Sequence, residues 1–201
     1  MERARRPWDK NGLSMAEINQ VEDQDFFLAL ARPSASTREA RVEARERWNA
    51  WRRDPENAKK HVTFAGVDFT TEDNKIIYFE GFEFGEMASF ESCAFGNEEN
   101  FSNATFGYAA TFAHATLGYA ASFSNATFGY AASFDNTTFR DMACFHKAIF
   151  GPWVRFEHST FGSGADFTHA TFGSSADFSQ ATFGPGARFD NATFGPWARL
   201  A

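Results

Sequence analysis

Ala121-Ser122-Phe123-Ser124-Asn125-Ala126-Thr127-Phe128-Gly129 is the stretch of sequence that decides the fold. In it, each large residue, Phe123 or Phe128, follows a small one, Ala121 or Ala126, by two positions. Because successive side chains of a strand point to opposite sides, the small and the large residue of each pair share one side. The polar residues between them point the other way. The pattern therefore predicts short strands with Phe inside and polar residues outside.

The same pattern repeats along most of the chain. From Phe90 to Leu200, large apolar residues alternate at spacings of five and six, which gives ten units of 11 residues. Phe occurs 26 times, so one residue type fills the core again and again. A glycine follows nearly every second Phe and suits a tight corner, although Arg140 takes its place in one unit. Repeats of this kind predict a solenoid, in which each unit packs on its neighbours.

The units resemble the pentapeptide-repeat family, whose unit is a small residue, a polar residue, a central Leu or Phe, and two polar residues. The resemblance covers residues 61–201 and implies an all-β solenoid, a right-handed quadrilateral β-helix with four short faces per coil. Two 11-residue units predict coils of 22 residues, with the additional residues bulging at the corners. Three-sided packing is a less favoured alternative.

The start of the solenoid is less regular than the remainder. Phe64, Phe69, Phe79 and Phe84 are separated by multiples of five residues. Residues 70–78 break the motif, so we expect them to loop out.

Residues 1–60 have a helical pattern, which divides the chain into a helical segment, 1–60, and a solenoid, 61–201. Residues 14–17 and 36–39 have the spacing of capping boxes and predict helices over 15–31 and 37–53. Ala40, Ala44, Trp48 and Trp51 form a stripe at helical spacing. We expect Trp48 and Trp51 to cap the open end of the first coil, because an uncapped coil exposes apolar surface.

The charge distribution and the absence of known motifs argue against a nucleic-acid-binding, metal-binding, disulfide-linked or membrane protein. Residues 1–60 carry 13 basic and 11 acidic residues, about +2, and residues 61–201 carry 6 and 15, about −9. Such an acidic solenoid disfavours direct contact with nucleic acid. Cys93 and Cys144 belong to no zinc or disulfide motif, and we expect no cofactor or metal. No signal peptide or apolar run of membrane-spanning length is present, which favours a cytoplasmic protein.

Residues 22 apart should stack, so the outer surface can be read as columns. Tyr108 and Tyr130 share one corner column, and Trp153 and Trp197 share the neighbouring one. These aromatic residues either bind a partner or fold down to cover the corner. Leu200 stands in the slot of a central Phe, so Trp197 and Leu200 would form the surface of a homodimer built through the last coil.

No catalytic motif accompanies the repeats, and a regular solenoid offers no deep cleft for a reaction. His residues in the outward ladders and the thiol of Cys144 are interpreted as surface groups. The sequence therefore predicts a non-catalytic scaffold that binds a protein partner which it does not identify. Some members of the family that it resembles mimic DNA and inhibit or protect type II topoisomerases such as gyrase, which is one alternative. A structural rod or spacer in a self-assembling complex is the other.

Overall fold

The computed structural model describes residues 24–71 and 78–200, as two helices followed by a stack of short parallel strands. Helix α1 spans Gln24–Ala31, and helix α2 spans Arg38–Arg53. The ten strands are β1 Glu83–Gly85, β2 Thr105–Phe106, β3 Thr116–Leu117, β4 Thr127–Phe128, β5 Thr138–Phe139, β6 Ile149–Phe150, β7 Thr160–Phe161, β8 Thr171–Phe172, β9 Thr182–Phe183 and β10 Thr193–Phe194.

The second predicted helix is confirmed to within one residue. Its N-cap is Thr37, whose hydroxyl accepts a hydrogen bond from the amide of Ala40 at 3.2 Å, so the cap lies one residue after Ser36, the first residue of the predicted capping box. The predicted start of the first helix and the capping box at 14–17 lie outside the described residues. The boundary between residues 60 and 61 stays a prediction.

The strands form four ladders, one on each face of a quadrilateral coil. One sheet has the order β1-β2-β4-β6-β8-β10, and another has the order β3-β5-β7-β9. Isolated parallel bridges form the other two ladders, which include Ser89 with Thr111 and Asn100 with Ser122. Between Ser89 and Arg199 every paired residue lies 22 positions from its partner, which confirms the predicted coil length. The three-sided alternative is therefore wrong.

The core consists of the central Phe residues together with the small residues two positions before them. Phe123 and Phe128 are fully buried, as are Ala121 and Ala126.

Rings in successive coils stack nearly parallel, as Phe106 does on Phe128, with centroids 4.6 Å apart and planes 1° apart. Neighbouring rings within a coil meet edge to face at every second step, as Phe128 does with Phe134 at 75°, and are tilted at the others, as Phe134 is to Phe139 at 45°. The stacked and the edge-to-face arrangements are favourable for aromatic pairs, which adds to the stabilisation from burial.

Left-handed turns connect the faces. One outward column, in which three of the five residues are Asn, has φ between 55° and 59°. Its members are Asn103, Asn125, Lys147, His169 and Asn191. Asn adopts this conformation more readily than most residues other than Gly, because its short polar side chain bonds to the nearby backbone. The polar ladders therefore follow from the backbone conformation of the turns.

The first coil departs from the repeat where it meets the helices. Phe82 occupies an inward slot that later coils fill with alanine, and it is buried against Trp48 at 5.5 Å between ring centroids. The indole of Trp48 also donates a hydrogen bond to the carbonyl of Glu83 at 2.9 Å. Arg52 lies over Gly85 and donates to the carbonyl of Lys60 at 2.6 Å. Large side chains thus fill the space that another coil would otherwise occupy.

One inward slot holds a carboxyl group. Glu99 stands two positions before Phe101, where later coils have Ala121 and its equivalents, and only 6% of Glu99 is exposed. Burial raises the pKa of Glu99 to about 8, and a hydrogen bond from the amide of Asn100 offsets part of this rise.

Shortening a central Phe should leave a cavity in the ring stack. Phe150 lies between Phe128 and Phe172, at 5.1 and 4.9 Å between centroids. We expect Phe150→Ala to lower the free energy of unfolding by about 3–5 kcal/mol in urea denaturation. Ile149→Ala, next to it but half exposed, is the control and should change the unfolding free energy little. Equal losses in both variants would contradict this account of the core.

The corner glycines should differ in their tolerance of a methyl group. A Cβ on Gly129 would lie 2.7 Å from the backbone of Gly107, whereas a Cβ on Gly96 would meet nothing within 4 Å. We expect Gly129→Ala to destabilise the solenoid by about 1–3 kcal/mol, as overpacking does. Gly96→Ala should leave the thermal unfolding midpoint close to that of the wild type. A similar loss at both positions would show that coil spacing is not the cause.

Glu99 should make the stability of the protein depend on pH. Its pKa is about 8 in the folded chain against an ordinary value of 4.5, so the folded state binds more protons between these values. The free energy of unfolding should therefore fall as pH rises from about 4.5 to about 8, by an amount of the order of 5 kcal/mol at about 1.4 kcal/mol per pH unit.

Glu99→Ala should remove this fall, because it removes the carboxyl group that titrates. The fold should tolerate the change, since later coils have alanine in this slot. Urea denaturation at several pH values measures the effect, and Glu98→Ala, which removes an exposed carboxyl, is the control. If the difference between wild type and Glu99→Ala stayed constant across this pH range, the carboxyl would not titrate as described.

Candidate functional site

The aromatic corner is the turn that follows strands β2, β4, β6, β8 and β10. It consists of two columns of turn residues, which are Tyr108, Tyr130, Pro152, Ser174 and Pro196, and Ala109, Ala131, Trp153, Ser175 and Trp197. Backbone hydrogen bonds join successive coils here, such as that from the amide of Ala131 to the carbonyl of Pro152 at 2.9 Å. The corner is therefore as regular as the faces beside it.

The residues of the second column share one backbone conformation. Ala109, Ala131, Trp153, Ser175 and Trp197 all have left-handed φ values, between 53° and 62°. Trp residues rarely adopt this conformation, whose cost is of the order of 1 kcal/mol or more. In this chain the repeated turn imposes it whatever the side chain is.

The structure leaves the four predicted partner-binding residues exposed. The exposed fraction is 48% for Tyr108, 47% for Tyr130, 54% for Trp153 and 81% for Trp197. The rings of Tyr108 and Tyr130 stack on the outer surface with centroids 5.7 Å apart. Tyr and Trp residues are enriched at protein interfaces relative to the remaining protein surface.

Two further exposed apolar residues border this corner, and sequence reasoning missed both. Met87 precedes Ala109 by one coil in the second column, and Ile149 interrupts a column of outward Thr residues on the adjacent face. Both are about half exposed. Ile149 had a detectable signal, because it stands where the neighbouring coils have Thr127 and Thr171.

The opposite corner, 11 residues further along each coil, is less apolar. Its exposed large side chains are Tyr119 and Met142, and its other coils contribute residues such as Asp141 and Ser163. The two corners share one backbone geometry but differ in composition, which makes the opposite corner a natural control.

The predicted end-cap residues differ from those of the aromatic corner in their exposure to solvent. Trp48 and Trp51 are both fully buried. Trp48 contacts Phe64, Phe82 and Phe84 of the first coil, and Trp51 packs against Phe27 of α1. Their contribution to stability as a cap stays a prediction.

The last coil presents an apolar concavity of about 310 Å³, lined by Phe178, Phe183, Phe189, Phe194 and Leu200. Leu200 is 63% exposed, and Trp197 lies on the same coil. The homodimer predicted through Trp197 and Leu200 would cover this surface and stays a prediction.

Within residues 24–71 and 78–200, the reactive side chains do not assemble into a site. Cys93 is buried, its thiol donates to the carbonyl of Phe64, and burial raises its pKa to about 12. Cys144 is half-buried and lies 3.1 Å from the hydroxyl of Ser124. His146 shares a hydrogen bond of 2.7 Å with Thr168.

Two other features are absent from residues 24–71 and 78–200. These residues contain no group of three His, Cys, Asp or Glu side chains that could hold a metal. Neither α1 nor α2 is long and apolar enough to cross a membrane.

Comparisons with known proteins concern mainly the repeats. No curated protein matches the chain. Among solved structures, trypsin-treated QnrB1, a plasmid-mediated fluoroquinolone resistance protein, is similar with 14% identity and a TM-score of 0.21, over 67% of this chain and 90% of that one.

The family model described as pentapeptide repeats (9 copies) matches residues 123–171 and 156–201. The coils before residue 123 continue the same spacing back to Phe90 and pair in the same 22-residue register. Residues 123–201 therefore consist of pentapeptide repeats, and the earlier coils continue the same β-solenoid.

Proposed function

We propose that the chain is a non-catalytic scaffold that binds a protein partner through its aromatic corner. The observation that carries this proposal is the exposure of Tyr108, Tyr130, Trp153 and Trp197 on one edge of a solenoid whose Phe residues are otherwise mostly buried. Trp and Tyr dominate the binding energy of many interfaces, because they bury large areas with few rotatable bonds.

The rigidity of the solenoid supports the same proposal. Successive coils are joined by backbone hydrogen bonds on every face and by stacked rings inside. The corner side chains are thus held at intervals of one coil, about 4.8 Å. A preorganised surface loses little conformational entropy on binding, which favours affinity.

The surroundings of the corner resemble the rim of an interface. On one side lies a column of outward Thr residues, which includes Thr127 and Thr171. On the other side Arg155 forms an ion pair with Asp135 at 2.8 Å. An apolar centre with a polar rim is typical of protein interfaces, so we expect the partner to offer an apolar surface with polar edges.

A DNA-mimicking topoisomerase inhibitor or protector is the alternative function. Its support is the exposed acidic group of the first coils, formed by Glu80, Glu86, Glu91 and Glu98. The later coils carry mixed charges, however, such as the pair of Arg199 and Asp177 at 3.2 Å. The acidic surface is thus confined to one end, which favours the scaffold. Unchanged DNA supercoiling by purified gyrase in the presence of the protein would exclude the alternative.

Removing the two Trp side chains should abolish partner capture. Trp153→Ala/Trp197→Ala introduces the residue that this column already has at Ala109 and Ala131, so the turns should be preserved. Truncation of such residues costs about 2 kcal/mol or more each at hot spots. We expect cross-linking pull-downs from native lysate to recover a partner with wild type and to lose it with this variant.

Tyr119→Ala/Met142→Ala, which removes the exposed side chains of the opposite corner, is the matched control and should retain the partner. Equal capture by the wild type and the Trp variant would contradict the corner as the binding surface and direct attention to the helices or the acidic coils. Recovery of the protein alone would favour the structural rod.

A further inference from the structure

A basic pocket lies between the start of α2 and the beginning of the first coil. It has a volume of about 160 Å³ and is lined by Arg38, Arg41, Val42, Arg45, Tyr78 and Glu80. It is separate from the aromatic corner, and the scaffold function makes no use of it.

Three arginines line this pocket because of their spacing on α2. Arg38, Arg41 and Arg45 are three and four residues apart, so their side chains lie on one side of the helix. Like charges at this spacing repel one another. No carboxylate within residues 24–71 and 78–200 forms an ion pair with any of the three. Glu80, which also lines the pocket, offsets only part of this repulsion.

Specific contacts hold two of these side chains in place. The guanidinium of Arg41 lies 4.0 Å from the centre of the Tyr78 ring, and its Nη2 donates to the carbonyl of Ser36 at 2.7 Å. Arg45 runs along Gly81, where a Cβ would lie only 3.0 Å from Cδ of the arginine. The glycine thus leaves the room that the arginine stem needs, and the basic groups are positioned.

The lining also carries an electrostatic cost that a nearby anion would offset. The Nε atom of Arg41 is buried and has no acceptor among the described residues. Buried donors without acceptors are uncommon, because each costs free energy. The first turn of α2 lies beside the pocket, and the positive end of its dipole adds to the attraction for an anion.

The size and charge of the pocket indicate which anion fits. Three arginines and Glu80 give the lining a net charge of +2, which matches the charge of about −1.5 to −2 on a phosphomonoester near neutral pH. Guanidinium groups bind phosphate oxygens in pairs. The volume of 160 Å³ is small beside the roughly 300–1,000 Å³ of sites for larger organic ligands. We propose that this pocket binds a phosphate group, as inorganic phosphate or as the phosphoryl group of a small phosphomonoester.

Calorimetric titration of the full chain with inorganic phosphate and with glycerol 3-phosphate tests this proposal. Both titrations are run at constant ionic strength in chloride, so that general screening does not change. We expect saturable binding to one site in the wild type. Arg38→Gln/Arg45→Gln should weaken it at least tenfold, and Arg140→Gln/Arg188→Gln, which removes two charges from the solenoid, should leave it unchanged.

The outcomes separate the sources of the phosphate group. Binding of inorganic phosphate alone would support a site for the free ion, and binding of both probes would support a site that accepts a phosphomonoester. No saturable heat in the wild type, or equal affinity in the pocket variant, would overturn the proposal. If circular dichroism shows that the double variant is unfolded, the single variant Arg38→Gln replaces it, because this side chain is exposed.

Discussion

The stacking of one coil on the next at a register of 22 residues is the constraint on which the rest of the structure depends. Backbone hydrogen bonds between parallel strands require a spacing of about 4.8 Å. The Phe rings stack at 4.6 Å for Phe106 on Phe128 and at 5.2 Å for Phe112 on Phe134. Backbone and core therefore favour the same rise per coil, and one residue type can fill every coil without strain in either.

This constraint acts unequally on the inside and the outside of the coil. An inward slot must match its two neighbours in size, which is why Ala121 and Phe123 recur with little change. A turn position must only adopt the left-handed conformation, and Ala131, Trp153 and Ser175 all do so in one column. The surface of a coil can thus change without changing its shape. Folding does not require large aromatic residues at these turn positions, and this supports the proposal that the aromatic corner is a binding surface.

The regular coils could be predicted from the sequence because their contacts are set by spacing alone. Register, burial of Phe150 and the columns of Tyr108 and Trp153 all follow from counting residues. The left-handed backbone conformation of the Asn-containing columns could not be predicted, since the sequence pattern shows polarity and not backbone conformation. Met87 and Ile149 could have been found by the same count, since Met87 lies 22 residues before Ala109 and Ile149 lies 22 residues after Thr127.

Contacts between the helices and the first coil could not be predicted, because no repeat relates them. Arg45 meets Gly81, and Arg41 meets Tyr78, across more than 30 positions of sequence that contain no periodic signal. Only the folded chain places these residues together. The buried position of Glu99 could have been found from its slot before Phe101, where a carboxylate replaces the alanine of later coils.

The first coil concentrates these departures for a physical reason. An interior coil is bounded by two copies of itself, so each inward residue must fit a neighbour above and below. The first coil meets another coil on one side and the helices on the other. Phe82 there fills a slot that is alanine elsewhere, because Trp48 and not a second Phe lies against it. The first coil can therefore hold residues that would not fit between two coils. The arginine pocket lies where this coil meets the helices. The specificity that we propose for the pocket thus depends on the place where the repeat ends, while that of the aromatic corner depends on turn positions that the regular coils leave free to vary.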